Sequence, residues 1–504
     1  MRLPFPERIP FVPVFLFAIS LCVIQLIEKT DPTFALGCFF FVLLAAMSFN
    51  VGGGFTRPSG GYIFFYSMLT VIIGIVWKAF LNEPADSNLQ NPLLTIQVFV
   101  AGMAMMLLAA YLSTKLKTKR ALLGKMVTDA NMQTATVGCT IAGFALSFLG
   151  FFVSGGNGSL ISALNQLNRF LFMAIILGTI HSIRRSGGTR SINLPVLLSG
   201  AYLFFTGVLG YSKEGMITPF LCWIIAAASQ RYRVTRSQIF CAIVVTVFVF
   251  RYLVPYAQYG RAFRGDTYLE NVQISLSLLS DLGYVRQQYL IDSGYVADVR
   301  VGGYYDRSQG FFDRLQELGI DDALIEHTRQ FGPYGYFPIV ASFENLVPHF
   351  LWKDKPSVFF GNLYAHEIGI LGEEDYSTGV SFSPTAEAYH LGEWRGIFIL
   401  APCLWLALFT VFDSLCGDTR LSPWGLLVIV TFGHLAPEGG VTEIAYALGY
   451  TLFGIVFAAI LGAYLMPILG TFFIGPEGIT LRRGKPIRSI PNRLRPRPPI
   501  SSET

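Results

Sequence analysis

Charge is what this sequence has least of. Asp, Glu, Lys and Arg make up only 14% of its 504 residues, against 53% hydrophobic, and mean hydropathy is +0.51. A soluble domain carries roughly a quarter charged residues, so this chain cannot hide its apolar surface from water by folding on itself. The net charge is only +5, which gives nucleic-acid binding no electrostatic support. Cysteine is also sparse: seven residues, none in the long polar block described below and none in a CxxC pair. Redox and zinc motifs are therefore absent, and the cysteines read as small apolar residues in helices. There is no Asp-x-Asp pair and no His/Glu cluster with metal-ligand spacing, which argues for chemistry without a bound metal or cofactor. No internal repeat is evident either, which counts against an inverted-repeat transporter.

What the sequence has instead is long apolar runs. Stretches of roughly twenty residues, enough for one bilayer crossing, occur at about twelve positions. They start near Phe11, Phe34, Gly61, Leu93, Thr136, Ile161, Leu194, Met216, Gln238, Gly392, Ser422 and Ile444. Met216–Ser229 and Ser422–Pro437 are the shortest. The first run lacks a small-residue cleavage site and reads as a retained helix. The expected fold is an all-α polytopic membrane protein with about 12 transmembrane helices and one large, partly helical extracytoplasmic loop. Its parts are an N-terminal bundle over 1–255, the loop over 256–390, further transmembrane helices over 391–474, and a disordered basic tail over 475–504.

Orientation follows from the short basic loops. Arg2 and Arg8, the Lys115–Lys125 loop, Arg184–Arg190, Arg231–Arg236 and the tail from Arg482 all fall on one face if there are twelve crossings. Glu83, Asp86 and the Gly-rich Ser154–Ser159 fall on the other. Both termini are thus expected in the cytoplasm and the long loop outside. Within the loop, Ile274–Leu290 and Phe311–Arg329 have helical spacing, suited to the membrane surface, to capping the bundle or to the loop's own core.

Ionisable groups at membrane depth are expensive and are functional candidates by default. Arg169, with Asn165, Gln166 and Asn168, marks one helix, expected about two turns in from its outer end. Lys213 and Glu214 interrupt two segments in Gly210-Tyr211-Ser212-Lys213-Glu214-Gly215. Arg251 is followed by Arg261 and Arg264 where its helix should emerge, and His434, Glu438 and Glu443 sit at the last outer turn. Each can equally be a snorkelling side chain or an internal ion pair. Their convergence on the outer side favours a cationic pocket for a lipid-linked diphosphate, whose oxygens Arg forks bind bidentately.

Three stretches then carry a resemblance: Gly210–Glu214; Val347–Pro356 with Leu351-Trp352-Lys353-Asp354-Lys355-Pro356; and Ser381–Gly396, containing Ser383-Pro384-Thr385-Ala386-Glu387-Ala388-Tyr389 and Leu391-Gly392-Glu393-Trp394-Arg395-Gly396. In order and setting they resemble Wzy-type O-antigen polymerases, or oligosaccharide repeat-unit polymerases, with Leu391-Gly392 where relatives commonly have Phe-Gly. The resemblance implies a GT-C-like glycosyltransferase of a bacterial inner membrane. It would use undecaprenyl-diphosphate-linked oligosaccharides at the outer face, with a chain-length regulator protein as a candidate partner. Arg169, Lys213, Arg251, Arg261 and Arg264, with Lys353, Lys355 and Arg395, are then the expected diphosphate and substrate contacts. Glu387 is the first choice as general base and His349 the second. Glu387 also reads as a carboxylate on a helix dipole, and His349 as a loop residue stacked on Trp352. An O-antigen ligase and a lipid-oligosaccharide flippase are the competing readings.

Overall fold

The structure, a computed structural model, describes residues 1–475 apart from positions 88, 125, 153–167, 266–267, 296–317, 348–350, 353–358, 373 and 376–377. Twelve helices lie at or near the apolar runs of the sequence. They are α1 (Phe11–Ile27), α2 (Pro32–Val51), α3 (Pro58–Leu81), α4 (Pro92–Leu116), α5 (Met132–Phe152), α6 (Phe170–Arg185), α7 (Leu194–Leu209), α8 (Lys213–Ser229) and α9 (Arg236–Phe263), followed after the loop by α15 (Pro384–Cys416), α16 (Pro423–Glu438) and α17 (Gly440–Ile474). The loop contributes α10 (Tyr268–Ser280), α11 (Leu282–Tyr295), α12 (Leu318–Phe331), α13 (Phe337–Glu344) and α14 (Phe360–Glu367). Among the described residues there are no strands, only two isolated β-bridges. Seven of these helices are long and apolar enough to cross a membrane, and α1 and α7 are shorter apolar helices. The chain is an all-α membrane protein.

The helix starts are written locally. Asp31 before Pro32, Asn91 before Pro92, Asn193 before Leu194-Pro195 and Ser383 before Pro384 each place a side-chain oxygen on a backbone N–H in the first turn. Proline in the first turn lacks only a donor that would be orphaned anyway. Close packing follows from small residues. A Cβ on Gly138 of α5 would fall on the Met466 carbonyl of α17, and one on Gly470 on the Thr134 carbonyl, so these two helices touch backbone to backbone.

The bundle has two chemically different ends. At one, the Met1 amino group donates to Val234 O (2.9 Å), Arg184 pairs with Asp129 (2.5 Å), Arg420 with Glu7 (3.7 Å), and Leu122 and Leu123 donate to the carbonyls of Ser414 and Leu415. The Gly470–Thr134 contact brings the end of α17 there too. The other end carries the loop: Asn91, capping α4, donates to Glu326 of α12, and Ser383, capping α15, donates its N–H to Asp321 of the same helix. The Arg-rich turns thus share one end, as their charge suggests.

Four features depart from the expected layout. Helix α8 starts at Lys213, so Lys213 and Glu214 occupy its first turn behind the Ser212 cap rather than a break between segments. Arg169 is not two turns into a helix: it is the N-cap residue of α6. The expected loop boundary at 390 falls inside α15, which is two half-helices joined at Gly392 (φ −154°, ψ 19°) and Glu393 (φ 49°, ψ −134°). Ile274–Leu290, expected as one helix, is divided between α10 and α11 around Asp281, which caps α11 through Tyr284 N–H. The Gly-rich Ser154–Ser159 turn, Asn165, Gln166, the first part of Phe311–Arg329 and the tail lie outside the described residues.

Candidate functional site

Two polar centres occupy the loop end, and helix α17 belongs to both. The first is built on the break in α15. The Glu387 side chain, 2% exposed, accepts from Thr442 N–H (3.0 Å), Thr442 Oγ1 (2.9 Å) and Tyr364 OH (3.3 Å). It therefore caps the N-terminus of α17, where backbone N–H groups favour an anion. Gly440 starts that helix at φ 55°, and a Cβ there would strike Glu387 Oε2. The α16–α17 turn is tied to the start of α15 by Gly440 N–H donating to Phe382 O (3.0 Å). The break itself is clamped from the loop: Tyr334 N–H donates to His390 O (2.8 Å) and Gly335 N–H to Leu391 O (3.1 Å). A side chain at 392 would collide with the Tyr336 hydroxyl.

These bonds decide what Glu387 can do. It lies in the first turn of its own helix, as expected, and its side chain also accepts at the N-terminus of α17. With three donors engaged and no open side, it cannot meet a sugar hydroxyl without giving up bonds that hold α15 to α17. Glu387, the expected general base, is buried and bonded between α15, α14 and α17. Burial and the carboxylates of Glu387 and Glu367 push the Tyr364 phenol well above its usual range, so it stays a donor.

The second centre gathers charged groups that the sequence scatters over five helices. His434 Nδ1 of α16 lies 3.2 Å from Glu438, and its Nε2 lies 3.9 Å from Glu214 of α8. Arg169 interacts electrostatically with Glu214 and with Tyr446 and Tyr450 of α17, and Glu443 with His434. Arg261, at the end of α9, donates through Nε to Tyr211 O (3.3 Å), beside the Lys213–Glu214 turn. Arg169, Glu214, His434, Glu438 and Glu443 thus form one linked group, with Lys213 adjacent to Glu214 in the chain and Arg261 bonded to the turn just before it. Carboxylates already face Arg169 and His434, so an anionic ligand here would compete with Glu214.

Other candidates stand apart. Arg251 lies exposed on a π-turn of α9 with its guanidinium over the Tyr252 ring (5.9 Å). Arg264 and Arg395 are exposed, Arg395 just past the break in α15. His349, Lys353 and Lys355 lie outside the described residues. Asn168 donates to Gly143 O (3.2 Å) and serves the packing of α5 on α6.

The sequence places a helix over Phe311–Arg329, which includes most of α12, but does not single out its carboxylates. Its Asp322 accepts from Asn91 N–H (3.2 Å) and Thr95 Oγ1 (2.6 Å) at the start of α4, and Glu326 holds Asn91 and Arg329. Sequence reasoning also passed over His327, Glu367 and His390, which meet beneath the loop. The one available signal was His390 directly after Tyr389 in the Ser381–Tyr389 run. Among the described residues no group of three or more His, Cys, Asp or Glu is arranged to hold a metal ion. No protein-family model matches the chain, and no curated protein or solved structure does.

Proposed function

We propose that this chain is a membrane glycosyltransferase that polymerises undecaprenyl-diphosphate-linked oligosaccharide repeat units into a surface polysaccharide. The observation that carries the reading is the convergence of Arg169, the Lys213–Glu214 turn and Arg261 with His434 at the loop end, next to a broken helix. All twelve apolar helices cross the bilayer in this reading, with both termini in the cytoplasm of a bacterial inner membrane and the loop outside. A lipid-linked diphosphate then meets the second centre at headgroup depth. Arg169, Lys213 and Arg261 neutralise the leaving diphosphate, Arg169 exchanging Glu214 for it, while Arg251 and Arg264 extend the basic track along α9. Lys353, Lys355 and Arg395 remain candidate substrate contacts, and a chain-length regulator remains a candidate partner.

A second reading rests on the break in α15. Discontinuous helices facing ionisable groups also build transporter sites, so a lipid-oligosaccharide flippase would use the same feature.

The test is to delete the gene in its host and resolve the surface glycan by size. Loss of long chains with single repeat units still reaching the surface supports the polymerase. Units stranded inside on lipid carrier would indicate the flippase, and full-length polymer stranded outside on carrier would indicate a ligase.

A further inference from the structure

The side chains of His327, Glu367 and His390 meet beneath the loop with one nitrogen left unsatisfied. His390 is 1% exposed, two residues before the break in α15. Its Nδ1 lies 2.9 Å from Thr328 Oγ1, and that hydroxyl donates its only hydrogen to Leu324 O at 2.8 Å. Thr328 must then accept, so Nδ1 of His390 carries a hydrogen. The other nitrogen, Nε2, is buried without a hydrogen-bond partner and faces Glu367 Oε2 at 3.4 Å. A lone pair against a carboxylate is repulsive. A single proton placed between them converts the contact into a charge-assisted hydrogen bond.

The surroundings keep that proton site open on one side only. The rings of Tyr334 and Tyr364 enclose His390 at 5.4 and 4.7 Å, and Glu387 lies behind the Tyr364 hydroxyl. His327 Nε2 stands 3.9 Å from the same Glu367 oxygen. Burial lowers the His327 imidazole, Glu367 opposes this and His390 adds to it, so near neutral pH His327 does not compete as a cation. The Glu367 side chain is 28% exposed against 2% for His390, which makes the carboxylate the accessible member.

We propose that Glu367 is the general base of the glycosyl transfer, with His390, fixed by Thr328, as the positioning residue that shares its proton. This rests on the glycosyltransferase reading above. The acceptor hydroxyl gives its proton to Glu367, and its oxygen forms the new bond to the anomeric carbon. The bond from that carbon to the phosphate oxygen breaks, and its electron pair leaves on the lipid diphosphate. The proton, held between Glu367 and His390, returns to water through the open side of Glu367.

Two measurements test this. In the deletion host, Glu367→Gln should cut the formation of long chains roughly 10²–10⁴-fold, the scale of a general base, while Glu367→Asp restores part of it. Both variants should be present at wild-type levels as monodisperse full-length protein in detergent. Long chains made by Glu367→Gln as by wild type would overturn the assignment. If deleting the gene itself leaves chain length unchanged, the glycosyltransferase reading falls with it, and the two failures are told apart. Independently of activity, ring nitrogen-15 NMR of histidine-labelled Glu367→Gln protein should show neutral His390 as the Nδ1–H tautomer. His390→Gln identifies the signal, and Thr328→Val should abolish the preference. An Nε2–H tautomer in Glu367→Gln would overturn the proposal.

Discussion

A few atoms at the break in α15 do most of the positioning. Gly440 combines a left-handed backbone with a carboxylate oxygen where its Cβ would be, so Gly440→Ala is both strained and clashing. We expect it to destabilise the protein by about 1–3 kcal/mol, read as a lower midpoint of thermal unfolding in detergent. At Gly392 φ is negative, so the obstacle to a side chain is the Tyr336 side chain, with the hydroxyl the nearest atom and the ring carbon bearing it next. Gly392→Ala paired with Tyr336→Phe should therefore be better tolerated than Gly392→Ala by itself, in the same unfolding measurement. Very little of this was legible beforehand. Glu387 stood out in the Ser383–Tyr389 run, but its partners Thr442 and Tyr364 come from distant elements, and only the fold shows that they saturate it. The same holds for Glu367 and His390, 23 positions apart and touching.

Among the elements, α12 joins loop and bundle by three carboxylates, Asp321, Asp322 and Glu326. Asp322 faces the start of α4; burial raises its carboxyl, and the hydrogen bonds from Thr95, Gln90 N–H and Asn91 N–H oppose this only in part. Asp321 has one oxygen on Ser383 N–H and the other buried without a partner, and burial raises its carboxyl to about 7. Because this group holds its proton more tightly when folded, its contribution is full below about 4 and is lost as pH rises through about 7. Glu326 works the other way: hydrogen bonding to Arg329 lowers it to about 2, so its contribution disappears as pH falls from about 4.5 toward 2. Hydrogen-exchange protection of Leu318–Phe331, corrected for intrinsic rates, should fall between pH 5 and about 8 in wild type and stay flat in Asp321→Asn. Asp322→Ala strands three donors at the head of α4 and should cost roughly 2 kcal/mol or more at any of these pH values. Apolar runs located the long apolar helices because lipid-facing and buried residues are both apolar. They could not show that Asp321, Asp322 and Glu326 are docking groups, since a charged helical face on a loop reads the same whether it meets water or another helix.

For the whole molecule, the legible quantity was the distribution of charge. Basic turns far apart in sequence, at Arg2, Arg184, Arg233 and Arg420, meet at one end, and the acidic and loop segments meet at the other. Sidedness is expected to follow: in intact cells a membrane-impermeant maleimide should label Gln330→Cys at the loop end and spare Arg190→Cys. The reverse pattern would place the loop inside. The most direct measurement is made on the full-length protein, purified and reconstituted into liposomes, with lipid-linked repeat units extracted from the deletion host. The account predicts a ladder of lengthening glycan with release of undecaprenyl diphosphate, strongly reduced by Arg169→Ala and by Glu367→Gln. Repeat units that bind but are never joined, or that are only carried across the bilayer, would contradict it.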